Sequence, residues 1–125
     1  MNNSEFVFES LLRDNNFMTN IDNYITNTIF VEKSFDVKHV PQLVLLIMTL
    51  LKKSTPYIDV EQKIKNDTEL KDLLDIFYTY IFKKIEENLH LIEFDKKELK
   101  KSYDICARLA VLKLKFTNKS FLGCC

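Results

Sequence analysis

Glycine occurs once in this chain, at position 123, and proline twice, at 41 and 56. A sandwich or a loop-rich fold needs many tight turns, and those turns draw on both residues. With so few of them, reversals of direction fall to Asn, Asp and Ser, whose short side chains hydrogen-bond to nearby backbone. The same scarcity removes several chemistries. Walker and dinucleotide loops need glycines so that backbone amides can approach phosphate, and the Gly-x-Ser-x-Gly nucleophile elbow needs them for its strained turn.

What remains is helical periodicity. Ser4 to Asp14 places Val7, Phe8, Leu11 and Leu12 on one helical face with Ser4 as N-cap, and Asn15 and Asn16 end it. A second helix is expected to follow Thr19 or Asn20. Its Ile21, Tyr24, Ile25, Thr28 and Ile29 fit the i, i+3, i+4, i+7, i+8 template, and it ends between Glu32 and Ser34. A third begins between His39 and Pro41, where proline sacrifices no hydrogen bond. From Leu43 to Leu51 almost every residue is apolar, which predicts a central helix buried on all sides. Ser54-Thr55-Pro56 breaks the chain, and a short helix is expected from Asp59, with Gln62 completing a capping box.

Asn66 and Glu69 repeat the capping signature and open the longest predicted helix, about 67–93. Leu70, Leu73, Leu74, Phe77, Ile81, Ile85, Leu89 and Ile92 form its stripe. Ile76, Tyr80 and Phe82 widen that stripe, so the helix should touch neighbours on two sides. Asp95 and Glu98 cap a last helix whose inner face carries Leu99, Tyr103, Cys106, Ala107, Ala110 and Leu114. The expectation is an all-α chain, one domain over 1–125 with a short tail at 117–125. Five or six helices form an irregular bundle around the segment at about 41–53.

Formal net charge is zero, so no global field draws the chain to nucleic acid or acidic lipid. The layout is uneven. Up to Asp36 the acids Glu5, Glu9, Asp14, Asp22, Glu32 and Asp36 face only Arg13 and Lys33. From Lys96 onward Lys97, Lys100, Lys101, Arg108, Lys113, Lys115 and Lys119 join Lys96 against only Glu98 and Asp104. Two expectations follow: the acidic front and basic back pair internally, or they form a polar contact surface for a partner.

Nucleophilic catalysis would need a base beside a nucleophile, and only His39 and His90 are available. No spacing ties either to Cys106, so the expectation is a packed thiol and two partly exposed imidazoles. Glu87 and His90 form a Glu-x-x-His step, with Asp36 and His39 as an acidic cousin. Carboxylate-bridged di-metal bundles need two such steps and two further inward Glu, and no other helix shows one. Asp36 reads better as a helix cap. Cys106, Cys124 and Cys125 lack Cys-x-x-Cys spacing for zinc. No metal, cofactor or catalytic residue is therefore expected.

Cys124 and Cys125, after Phe121, resemble over two or three residues the terminal Cys-Cys of Rab-type small GTPases. That resemblance implies geranylgeranylation, and a lipid beside the basic last helix would satisfy the two-signal rule for anchoring. No GTPase motif accompanies it. No secretory n-region is visible, and Leu43 to Leu51 is about half the ~20 residues that span a bilayer. Membrane contact is thus expected only through the tail.

The chain holds ten Phe and five Tyr, and Phe77, Tyr78, Tyr80 and Phe82 crowd one helix. They cannot all point into one small core, so some should mark an interface. The candidate contact residues are Tyr78, Tyr80, Phe82, Lys97, Lys101, Arg108, Lys115 and Phe121, with Cys124 and Cys125 as lipidation candidates. Asn, Lys, Ile and Phe abound while Ala, Gly and Arg are scarce, a bias of A/T-rich genomes such as those of some large DNA viruses, protists or low-GC bacteria. The expected function is that of a non-enzymatic structural or interaction protein in a multi-protein assembly, cytoplasmic or inside a particle. Its most specific form is a minor virion or capsid component of a large DNA virus. The alternative is a soluble helical adaptor or regulator, in one version tethered to a membrane by lipidation of its cysteine pair.

Overall fold

The computed structural model describes residues 2–53, 64, 66–87 and 95–116. They form five α-helices and, among the described residues, no β-strand: α1 Asn3–Leu12, α2 Asn15–Tyr24, α3 His39–Lys53, α4 Asp67–Glu86 and α5 Lys96–Phe116. The all-α expectation holds. The short helix predicted from Asp59 and the tail at 117–125 lie outside the described residues, as does 88–93, the end of the predicted longest helix. Within the described residues α5, at 21 residues, is one longer than α4, at 20.

Each helix start has a local cause. Asn66 Oδ1 accepts the Glu69 amide at 2.9 Å, and Asp95 Oδ1 accepts the Glu98 amide at 3.1 Å, both as predicted. The first two starts differ from expectation. Asn2, not Ser4, caps α1, accepting the Glu5 amide at 2.9 Å. Ser4 is buried inside the helix and donates its hydroxyl to the Glu69 carbonyl at 2.7 Å, pinning α1 to the start of α4. Asn15 and Asn16 do not end a helix; they open α2. Asp14 caps them by accepting the Phe17 amide at 3.1 Å, and asparagine costs little in a first turn whose amides lack intrahelical partners.

α2 continues through a π-helical turn, Ile25–Phe30. Four-residue steps drift about 40° per step on a helix of 3.6 residues per turn, and a wider turn takes the drift back. Ile21, Ile25 and Ile29 therefore all reach the core. Past Glu32 the backbone reverses at Lys33, whose φ of 57° is left-handed. That position favours glycine, which this part of the chain does not have.

Buried residues of all five helices join one hydrophobic cluster. α4 packs against α1 and α5, as its two-sided stripe predicted, while α3 packs against α5 and touches α2. Phe77 sits at the heart of the cluster, edge-on to Phe8 at 4.9 Å and tilted against Phe17 at 5.3 Å. α3 is not closed on all sides. It buries Val40, Leu43, Val44, Ile47, Met48 and Leu51, but Leu45 is 65% exposed.

Candidate interaction surface

The C-terminal half of α4 and the first turns of α5 enclose a cleft of about 740 Å³. Tyr78 and Phe82 line it, their rings 5.8 Å apart, and Lys83, Lys96, Lys97 and Lys101 surround them. Lys96 lies 5.7 Å from the Phe82 ring and 3.8 Å from Glu86. Lys100 covers Tyr103 at 5.2 Å and pairs with Asp104 at 3.2 Å. Cations over aromatic faces shield the rings while keeping their own charge in water. The result is an oily floor inside a positive rim.

The floor is rigid. Tyr78 stacks on Tyr103 at 4.1 Å, and Tyr103 donates its phenol proton to Asp75 at 2.7 Å. Burial, then the Asp75 hydrogen bond, raises the Tyr103 phenol far above its ordinary range. Burial, then the Asp104 charge, pushes Tyr78 up to about 12. Among the described residues Tyr78 Oη is buried without a hydrogen-bond partner.

Beside the cleft runs a second feature that the sequence reading missed. Ile105, Leu109 and Leu112 project outward from α5, 59%, 60% and 46% exposed. Leu109 continues across a groove of about 260 Å³ to Leu45, Pro41 and Met48 of α3, with Cys106 in the wall. Large apolar side chains at i, i+4 and i+7 normally mark a buried face. Here the buried face is Leu99, Tyr103, Ala107 and Val111, so α5 carries two apolar stripes, of which one faces water. Contiguous exposed apolar surface of this kind marks binding sites. The spacing of Ile105, Leu109 and Leu112 was the available signal, and it was masked by reading the opposite face of α5 through its lysines alone.

The predicted contact residues divide. Tyr78, Phe82, Lys97 and Lys101 come together in the cleft. Arg108 lies apart from them, with Lys71, Asp72 and Leu112 in a second hollow between α4 and α5. Tyr80 is turned to α1, edge-on to Phe8 at 5.6 Å, with Lys84 at 5.3 Å from its ring. The side chain of Lys115 lies outside the described residues, as do Phe121, Cys124 and Cys125.

Among the described residues, the ion pairs run elsewhere than between the first and last helices. Lys84 bonds Asp22 at 2.8 Å, Lys38 bonds Glu32 at 3.0 Å and Lys71 bonds Asp75 at 2.7 Å. Neither these pairs nor those of Lys96 and Lys100 join α1 to α5, and none involves Glu5, Glu9, Lys97 or Lys101.

His39 is buried rather than partly exposed. Its Nδ1 accepts the Asp36 amide at 2.9 Å, which places the proton of the neutral ring on Nε2, 3.4 Å from Glu32. Its ring stacks on Phe35 at 6.1 Å. Asp36 contributes its backbone to this turn, while its carboxylate accepts from Ser34 at 3.2 Å. Lys38, bonded to Glu32, holds that exposed carboxyl below the ordinary range. Cys106 is a half-buried thiol, and His90 lies outside the described residues. Among the described residues no three of His, Cys, Asp and Glu converge as metal ligands, and no helix is long and apolar enough to cross a membrane. The chain matches no protein-family model, no curated protein sequence and no solved structure.

Proposed function

We propose that this chain is a non-enzymatic structural or interaction protein, a small helical component of a larger multi-protein assembly. The reading is carried by the outward stripe of Ile105, Leu109 and Leu112, continuous with Leu45 and flanked by the lysine-rimmed cleft. Such a surface buries oily area against a partner while the lysines orient it. The specific version of the reading is a minor virion or capsid component of a large DNA virus, a source that the A/T-rich bias fits as it fits protists and low-GC bacteria.

The experiment is sedimentation of the untagged chain from its native source. The expected result is a particle larger than one chain. The pair Ile105→Glu and Leu109→Glu should release the chain as a monomer with unchanged helical circular dichroism. A native chain that sediments alone ends the reading.

A further inference from the structure

We infer that the partner at the α5 surface is a second copy of this chain, contributing the acidic outer face of its α1. The inference rests on the assembly reading and names its partner.

The argument is complementarity between two surfaces that, among the described residues, no ion pair joins within one molecule. α1 packs against α4 and α2, and its outer side presents Glu5, Phe6 and Glu9, all exposed. α5 presents Lys97 and Lys101, both exposed, followed by Ile105 and Leu109. Glu5 and Glu9 are one i, i+4 step apart, and so are Lys97 and Lys101. Each step spans about 6 Å along a helix axis, so the two charge pairs match in spacing. On α5 the charges run on into exposed apolar area, with Ile105 at 59% and Leu109 at 60%. α1 is about 15 Å long and the α5 surface from Lys97 to Leu112 about 22 Å, so the incoming helix fits. Laid along α5, it sets carboxylates against ammonium groups at the rim of the cleft and covers part of the stripe.

The contact is heterologous: each copy offers a different face to its neighbour. One contact therefore leaves a free acidic face at one end and a free basic one at the other. Association should rise with concentration and weaken as salt screens the pairs.

The test uses the full chain and two charge-reversed forms, Glu5→Lys with Glu9→Lys, and Lys97→Glu with Lys101→Glu. All four sites are exposed, and circular dichroism checks that both forms fold. Wild type should self-associate in sedimentation at low salt. Each reversed form alone should associate at least about tenfold more weakly, because like charges then face each other. An equimolar mixture of the two should regain association, since every contact again joins opposite charges. The inference is overturned by a wild-type chain that stays monomeric, by reversed forms that associate like wild type, or by a folded mixture that does not recover. A wild-type monomer that still holds a different protein through Ile105 and Leu109 ends the second-copy inference alone. One that holds no protein there ends the assembly reading too.

Discussion

Tyr103 and Asp75 are joined across the α4–α5 seam by a 2.7 Å hydrogen bond, and the same carboxylate oxygen receives the Lys71 ammonium at 2.7 Å. One acceptor thus ties two helices together next to the aromatic floor of the cleft. Replacing Tyr103 with Phe keeps the ring stacked on Tyr78 and leaves Asp75 with Lys71. The expected loss is about 1–2 kcal/mol of unfolding free energy, read by urea denaturation. An unchanged midpoint would show that this bond contributes nothing to the seam.

Phenols drawn partly or wholly out of water make the fold sensitive to alkali. Tyr24, Tyr78 and Tyr103 all have raised folded-state pKa values, with burial the largest cause in each. In the unfolded chain these groups ionise near the ordinary tyrosine value, about 10. Above that pH the unfolded chain sheds protons that the folded chain keeps, so stability falls as pH rises. Below it their contribution is complete and flat. Near-ultraviolet titration should show phenolate appearing late and together with unfolding. Tyr103→Phe should make the alkaline decline shallower, and an equal slope in both proteins would refute this origin.

Lys33 sits in left-handed backbone with a Cβ that crowds the following carbonyl. Lys33→Gly should raise stability by about 1 kcal/mol, a sign opposite to that of most glycine substitutions. Thermal unfolding compares the two proteins directly. A lower melting point would mean that the Lys33 side chain contributes more than the strain costs.

Ser4 lies 1% exposed, its hydroxyl engaged with the Glu69 carbonyl. Ser4→Ala should cost about 1 kcal/mol, since it removes one bond and leaves that carbonyl a partner short. Had Ser4 been the helix cap that the sequence suggested, the loss would come with fraying at Glu5 and Phe6. Amide exchange at the first turn of α1 distinguishes the two: protection there should persist, held by Asn2.

Helical content and most boundaries were legible because they depend on neighbouring residues. Asn66 with Glu69, and Asp95 with Glu98, form caps whose geometry lies within four successive residues. The burial of Phe77, Ile81 and Ile85 follows from their shared period. What was not legible depends on distant partners. Leu45 belongs to an apolar run yet faces water, because it lies at the open edge of the groove between α3 and α5, beside Leu109. His39 looks like a surface residue by type, and Phe35 together with the Asp36 amide draws it inside. In the candidate site, Tyr78, Phe82, Lys97 and Lys101 were found by residue type. The outward stripe was missed because α5 satisfies the helical template twice, and nothing local says which stripe a neighbour will cover.

The widened turn at Ile25–Phe30 gives α2 slack in length. It is equivalent to a regular helix into which one surplus residue has been fitted. Thr26 and Asn27, both exposed, can each be that surplus. Losing either would leave Ile25 and the isoleucine after it three positions apart, still on one face of an ordinary helix. This segment can therefore shorten by a residue without re-seating the core, a freedom that a uniformly wound helix lacks.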